Sequence, residues 1–415
     1  MKKILTILVF ASMFFGYESC KDGNALQEIS VNNKGISEKD YDTTKIFPGA
    51  YNIAKYLPVL KHKHVALVVN QSSTIEGIHL TDTLMSLDVD LVRIFAPEHG
   101  FRGEADAGEK LSDSVDKKTG LPIVSLYGHK RAPDEDDMKG VDIIVFDIQD
   151  VGVRFYTYIS TLAYIMDAAI EKGIPVLVLD RPNPNGHYID GPILEEKYKS
   201  FVGMFPIPVV YGMTIGELAL MMNGEGWLKN KNKCDLTVIS CTNYTHLSHY
   251  ELPVSPSPNL PDFLSISLYP SLCFFEGTTA SVGRGTEKPF KQIGHPALKE
   301  DYKYYFIPKP NHGAKKPKLE GEKCYGIDLS TLKVKNFRAK RKINLAWLID
   351  FYHKIHDKSK FFLDNNWIDK LAGTDEMRKM IISGKSDKEI HDLWKPKLKE
   401  FNATRKKYLL YPDFN

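Results

Sequence analysis

Between Ile94 and Glu109 the chain reads IFAPEHGFRGEADAGE, so that Glu98, His99, Arg102, Glu104, Asp106 and Glu109 follow one another closely, spaced by Gly100, Gly103 and Gly108. Grouped carboxylates can divide acid and base work between them, because mutual repulsion and partial burial raise one pKa while a nearby arginine keeps another group ionised. Glycoside hydrolysis requires that division: one carboxylic acid protonates the leaving oxygen, and a second group stabilises or attacks the developing oxocarbenium ion. A solvated acidic loop would have a similar composition. The three glycines argue for the functional reading, since they imply special backbone dihedrals that solvation alone does not demand.

Three further segments carry groups of the same kind. VFDIQDVGVRFYTYISTL brings Asp147, Gln149, Asp150 and Arg154 next to Phe155, Tyr156 and Tyr158. Such a set suits a sugar pocket, with polar groups for hydroxyls and ring faces for the apolar C–H side. For Asp150 and Arg154 the alternative is a helix cap and its ion pair; Asp147 directly follows the apolar IIVF and is harder to explain that way. LDRPNPNG offers Asp180 and Arg181, as a structural pair or as site residues, in a loop where prolines fix φ and asparagines suit tight turns. FEGTTASVGRGTEKPF contributes Glu276, Arg284 and Glu287. It matches neither common phosphate-loop pattern, so a substrate-facing loop with Arg284 for an anionic group is expected instead.

These residues need a frame. His64 to Asn70, Leu91 to Ala96, Ile123 to Tyr127, Val141 to Asp147 and Ile174 to Asp180 are short, apolar and rich in β-branched residues, and read as five strands. Gly77 to Asp88 and Tyr158 to Lys172 have helical periodicity, and Ala132 to Lys139 fits a shorter helix. This alternation predicts an α/β fold with a doubly wound parallel sheet. The strand bodies are apolar while their C-terminal ends give Asn70-Gln71, Glu98-His99, Tyr127-Gly128-His129, Asp147 to Asp150 and Asp180-Arg181, which collects polar groups at one rim. Thr214 with Glu217 predicts a capping box for a helix from Ile215 to Met222, and Asp235 to Ser240 predicts another strand. The proline-studded PVSPSPNLP marks a boundary. Residues 46–252 are expected to form the catalytic domain and 253–415 a smaller α+β domain completing a cleft. The second domain has a strand at Tyr325 to Leu329 and helices at Leu345 to His356, Thr374 to Ser383 and Ser386 to Phe401.

The 415 residues carry a formal net charge of +3, with lysines interleaved among acids, which argues against nucleic acid as the main partner. Lys2 and Lys3 precede an apolar run from Ile4 to Phe15 that is too short to span a bilayer but suits the core of an export signal. Residues 1–20 read as a signal peptide of lipoprotein type with Cys20 as the lipidated residue, and 21–45 as a polar tether. Ordinary cleavage would instead leave a soluble periplasmic protein. Cys234, Cys241, Cys273 and Cys324 show no metal-ligand spacing and are expected to be buried thiols. No metal site, cofactor motif or G-x-S-x-G nucleophile is apparent.

PEHGFRGEADAGE, FDIQDVGVRFYTYISTL, LDRPNPNG with DGPIL, SFVGMFPIPVVYGMTIGEL, PSPNLP and YPSLCFFEGTTASVGRGTEKPF, in this order, resemble the bacterial exo-β-N-acetylmuramidases, from about Val65 to the C-terminus. The resemblance implies a Rossmann-like N-terminal domain, a smaller and more variable C-terminal one, and an active site between them. It also implies an exo-acting glycosidase that removes N-acetylmuramic acid from non-reducing ends of peptidoglycan fragments without a cofactor, with the glutamate of PEHG, here Glu98, as the catalytic residue. Beyond what the family implies, Glu98 is expected to act as general acid assisted by His99 or a carboxylate such as Asp147. Arg154 or Arg284 is expected to pair with the lactyl carboxylate of muramic acid. Asn70, Arg102, Glu104, Asp150, Tyr156, Asp180, Arg181 and Glu276 complete the expected substrate-facing set. The expected partners are muramyl saccharides, and a membrane through the lipid anchor only, in the periplasm or at the outer membrane. Two other classes stay open, a carbohydrate-binding lipoprotein without catalysis and a hydrolase of ester or amide bonds.

Overall fold

A computed structural model describes residues 45–98, 100–101, 114–128 and 130–414. Its centre is a sheet of β1 (Val65–Val69), β2 (Leu91–Ala96), β3 (Ser114–Val115), β4 (Pro122–Ser125), β5 (Ile143–Asp147), β6 (Val176–Leu179) and β7 (Leu236–Ile239), in the order β3-β4-β2-β1-β5-β6-β7. All neighbours are parallel except β3, which runs antiparallel to β4. The reason lies in the sequence: VALVV of β1 and IIVFD of β5 are buried at every position, as strands covered on both faces must be.

Side chains alternate across the sheet and sort the helices to its two sides. Val65, Leu67, Val69, Ile143 and Val145 pack in one apolar cluster with Tyr56 and Leu60 of α1 (Ile53–Leu60) and Leu80 and Leu84 of α2 (Leu80–Ser86). Ala66, Val68, Ile144 and Phe146 join the other cluster, with Ile159, Leu162 and Met166 of α3 (Tyr158–Lys172) and Leu218 and Met222 of α4 (Ile215–Gly224). α3 ends at Gly173, whose φ of 65° provides the left-handed cap. The Thr214–Glu217 capping box is present at the start of α4.

After β1 the chain builds outward through β2 and β4, then crosses to β5 on the other side of β1. The winding direction therefore reverses between β1 and β5, and the crevice outside the carboxyl ends of such strands is where open α/β sheets bind ligands. Asn70, Glu98 and Gln149 all lie at that end.

The remaining chain forms a small antiparallel sheet of β8 (Gln292–His295), β9 (Tyr305–Phe306) and β10 (Cys324–Asp328), in the order β8-β10-β9. Its helices are α5 (Phe263–Leu272), α6 (Val334–Arg338), α7 (Ala346–Lys354), α8 (Trp367–Ala372), α9 (Glu376–Ile382) and α10 (Asp387–Arg405). The architecture is the expected one, a mostly parallel α/β sheet followed by a smaller α+β part. Phe275, Phe351, Leu371, Met377 and Ile390 belong to the same apolar cluster as Phe146, so one core runs from the large sheet into the C-terminal helices. Among the described residues, Cys234, Cys241, Cys273 and Cys324 form no disulfide and are buried. Among the described residues no helix is long and apolar enough to cross a membrane.

One element differs from expectation. Ala132 to Lys139 forms successive turns, not a helix. The Asp134 N–H donates to Asp137 Oδ2 at 2.8 Å and the Asp137 N–H to Asp134 Oδ1 at 3.0 Å, while Lys130 Nζ reaches both carboxylates. Aspartate side chains compete with helical backbone bonds in this way, and so short a helix has little cooperativity to oppose them.

Candidate active site

β2 ends at Ala96, and a tight turn follows in which the Gly100 N–H donates to the Pro97 carbonyl at 3.0 Å, with Gly100 at φ 74°. This turn presents Glu98 above the carboxyl ends of the strands. Thr157, the N-cap residue of α3, makes no side-chain hydrogen bond to its own helix. Its hydroxyl donates instead to Glu98 Oε2 at 3.3 Å. The Tyr158 hydroxyl donates to the Glu98 carbonyl oxygen at 3.5 Å. Burial, with the negative charge of Glu98 beside it, pushes the Tyr158 phenol well above its usual pKa and keeps it a donor.

Glu98 opens onto a cleft of about 540 Å³. Its walls include Tyr127, Arg131, Phe155, Tyr156 and Phe201 from the first part of the chain, and Asn259, Tyr269, Glu276, Arg284, Trp367 and Lys370 from the second. The aromatic walls are braced edge to face: Tyr156 meets Tyr158 at 4.9 Å, Phe155 meets Tyr269 at 5.3 Å, and Tyr269 meets Phe290 at 5.0 Å between centroids. The Tyr156 hydroxyl donates to the Pro256 carbonyl at 2.7 Å, which ties the proline-studded segment to the cleft.

Across the cleft Arg284 pairs with Glu276 at 2.7 Å and lies over the Phe290 ring. Behind them is a smaller cavity of about 230 Å³, lined by the same pair together with Ala280, Val282, Lys318 and Trp367. Lys318 donates to the carbonyls of Phe275, Glu276 and Thr278, and burial lowers its pKa to about 8.

Of the residues singled out in the sequence, Glu98, Tyr156, Glu276 and Arg284 line the cleft. His99, Arg102, Glu104, Asp106, Glu109 and Cys20 lie outside the described residues. Asn70, Asp147, Asp150, Arg154, Asp180 and Arg181 are instead buried, absent from the cleft lining and bonded within the framework. Asp147, fully buried, accepts from Arg181 Nε at 2.6 Å and Nη2 at 2.8 Å, so each consumes the other's charge. Asp180 sits at the N-terminus of α4, accepting from the Gly216 N–H at 2.8 Å, the Thr214 hydroxyl at 2.7 Å and the Tyr411 hydroxyl at 2.5 Å. Burial still raises its pKa to about 6. Asp150 accepts from the Gly152 N–H at 2.6 Å and from the Tyr211 hydroxyl, and burial raises it to about 7. Asn70 Oδ1 holds the Ser72 N–H and hydroxyl at 2.9 and 2.6 Å.

Arg154 neither faces a ligand nor pairs with Asp150. Fully buried, it donates to the carbonyls of Pro192 at 2.8 Å, Ile207 at 2.6 Å, Leu371 at 3.0 Å and Ala372 at 2.6 Å. Burial without a carboxylate lowers its pKa to about 9. It acts as a bolt between the large sheet domain and the C-terminal end of α8, the helix that carries Trp367 and Lys370.

Sequence reasoning missed Thr157, Arg131, Phe201, Trp367 and Lys370. Thr157 stands at a helix N-cap and Arg131 just beyond the strand end at Tyr127, which are local signals; Trp367 and Lys370 reach the cleft only through folding of distant chain.

Comparison with known proteins accords with this arrangement. Residues 65–264 match the family described as exo-beta-N-acetylmuramidase NamZ, N-terminal, and residues 267–411 match its C-terminal counterpart. The chain is 41% identical over 373 residues to the peptidoglycan beta-N-acetylmuramidase NamZ of Bacillus subtilis (strain 168), covering 86% of this chain and 89% of that protein. Two crystal structures of DUF1343 family proteins from Bacteroides fragilis NCTC 9343 share the fold. One has a TM-score of 0.83 at 48% identity and the other 0.72 at 28%, each covering 89% of this chain and 99% of its own. A mostly parallel sheet that presents Glu98 just past a strand end, a cleft lined also by the smaller C-terminal part, and similarity along nearly all of the folded chain place this protein in the exo-β-N-acetylmuramidase NamZ family of glycoside hydrolases.

Proposed function

We propose that this protein releases N-acetylmuramic acid from the non-reducing ends of peptidoglycan fragments, with Glu98 as the general acid that protonates the departing glycosidic oxygen. The observation that carries the assignment is the position of Glu98: it stands in the turn just after a central parallel strand, lines the cleft and is oriented by the Thr157 hydroxyl. Glu276 faces the same cleft but is paired with Arg284 at 2.7 Å. His99, one residue on from Glu98, is the assisting group in this reading. Tyr156, Tyr269 and Trp367 supply ring faces for the sugar.

The test is a defined disaccharide with N-acetylmuramic acid at its non-reducing end. One equivalent of free N-acetylmuramic acid per disaccharide is expected, with chelators having no effect. Binding without turnover would move the protein to the carbohydrate-binding class, and chelator-sensitive cleavage of an ester or amide would move it to another hydrolase class.

The basic start, the apolar run from Ile4 to Phe15 and Cys20 support export and a lipid anchor. Cys20→Ala is expected to abolish incorporation of labelled fatty acid and to move the protein from the membrane fraction to the soluble one. Unchanged fractionation and labelling would remove the anchor from the proposal.

A further inference from the structure

Muramic acid differs from glucosamine by a lactyl ether that carries a carboxylate, so a cleft selective for it needs a cation whose charge is still available. Three arginines bear on the question. Arg154 is spent on four backbone carbonyls. Arg284 lines the cleft, but its charge is taken by Glu276 at 2.7 Å. Arg131 also lines the cleft, and its guanidinium is stacked on the Phe201 ring at 4.4 Å from the centroid. Among the described residues it has no ion-pair partner, because the neighbouring acids Asp134 and Asp137 are both engaged by Lys130.

Position separates Arg131 from Lys370, the other cation of the cleft. Arg131 lies on the loop that leaves β4, and β4 is paired with β2, the strand that delivers Glu98. Lys370 is carried by α8 together with Trp367, which lines the smaller cavity with Glu276 and Arg284. The lactyl group belongs to the sugar whose bond is cleaved, so its carboxylate must lie near the general acid. Phe201 fixes the guanidinium plane from below, and Tyr164 stacks on Phe201 at 6.2 Å and 20°. A planar fork held in this way is preorganised for a carboxylate and loses little side-chain freedom on binding.

We infer that Arg131 is the specificity-determining residue that binds the lactyl carboxylate of the muramyl sugar. The inference rests on the proposed hydrolysis at Glu98 and names how that site selects its substrate. It replaces the roles that the sequence suggested for Arg154 and Arg284.

The experiment compares two aryl muramides, one with the lactyl acid free and one with it converted to the primary amide, in wild type, Arg131→Gln, Arg131→Lys and Lys370→Gln. Wild type is expected to prefer the acid. Arg131→Gln should lower kcat/KM for the acid by about tenfold or more, mainly through KM, and change the amide little, so that the preference collapses. Arg131→Lys should restore part of it. The amide substrate serves as the folding control, since a misfolded variant loses both. An unchanged acid-to-amide ratio in Arg131→Gln, or collapse of that ratio in Lys370→Gln instead, would overturn the inference while leaving the hydrolase assignment intact. Failure of wild type to cleave either substrate would instead sink the hydrolase assignment, and this inference with it.

Discussion

Glu98→Gln is expected to lower the rate of N-acetylmuramic acid release from a disaccharide by roughly 10²–10⁴-fold, the contribution a positioned general acid makes. The substitution preserves shape and keeps an oxygen that can accept from the Thr157 hydroxyl, so the turn at Pro97–Gly100 and the start of α3 should hold and KM should change little. A second substrate separates acid from other roles. An aryl muramide with a strongly acidic phenol departs as a stable anion and needs no proton, so the defect should shrink sharply on that substrate. A defect of equal size on both would make Glu98 a nucleophile or a charge stabiliser. Near wild-type release from the disaccharide by a folded variant would remove Glu98 from the chemistry altogether.

The sheet is legible because its central strands are buried on both faces and therefore appear as continuous apolar runs, as VALVV and VLVL do. The rim is legible for the same reason: a polar residue that ends such a run must sit at the strand's edge. What one sequence does not carry is the partner that folding brings to that residue. Asp147 and Glu98 look alike in sequence, each an acid that follows an apolar strand. Arg181 closes on Asp147 from the next strand, whereas Glu98 meets a hydroxyl and a cleft. Arg154 likewise reads as a cation beside a sugar pocket, yet the carbonyls that claim it come from Pro192, Ile207, Leu371 and Ala372, all distant in the chain. The turn at Asp134–Asp137 hides behind helical periodicity for a local reason, because the competing aspartate–backbone bonds leave no mark on that periodicity.

Asp147 also gives the largest expected effect on stability, and its test decides between framework and chemistry. The carboxylate is wholly buried against a guanidinium that is only 2% exposed, with two hydrogen bonds between them. Removing one partner of such a pair strands a charge away from water, whereas replacing both with apolar groups removes the desolvation cost together with the attraction. Asp147→Val alone should therefore lower the unfolding free energy by roughly 3–5 kcal/mol, and the Asp147→Val/Arg181→Met double variant should recover most of that loss. Urea denaturation of the wild type, both single variants and the double variant measures the coupling directly. Activity then completes the argument. If Asp147 belongs to the framework only, the refolded double variant should keep kcat within about tenfold of wild type, because Glu98 and Arg131 hang from other segments and Thr157 is held at the start of α3. A double variant that is as stable as wild type but as inactive as Glu98→Gln would return Asp147 to the reacting groups.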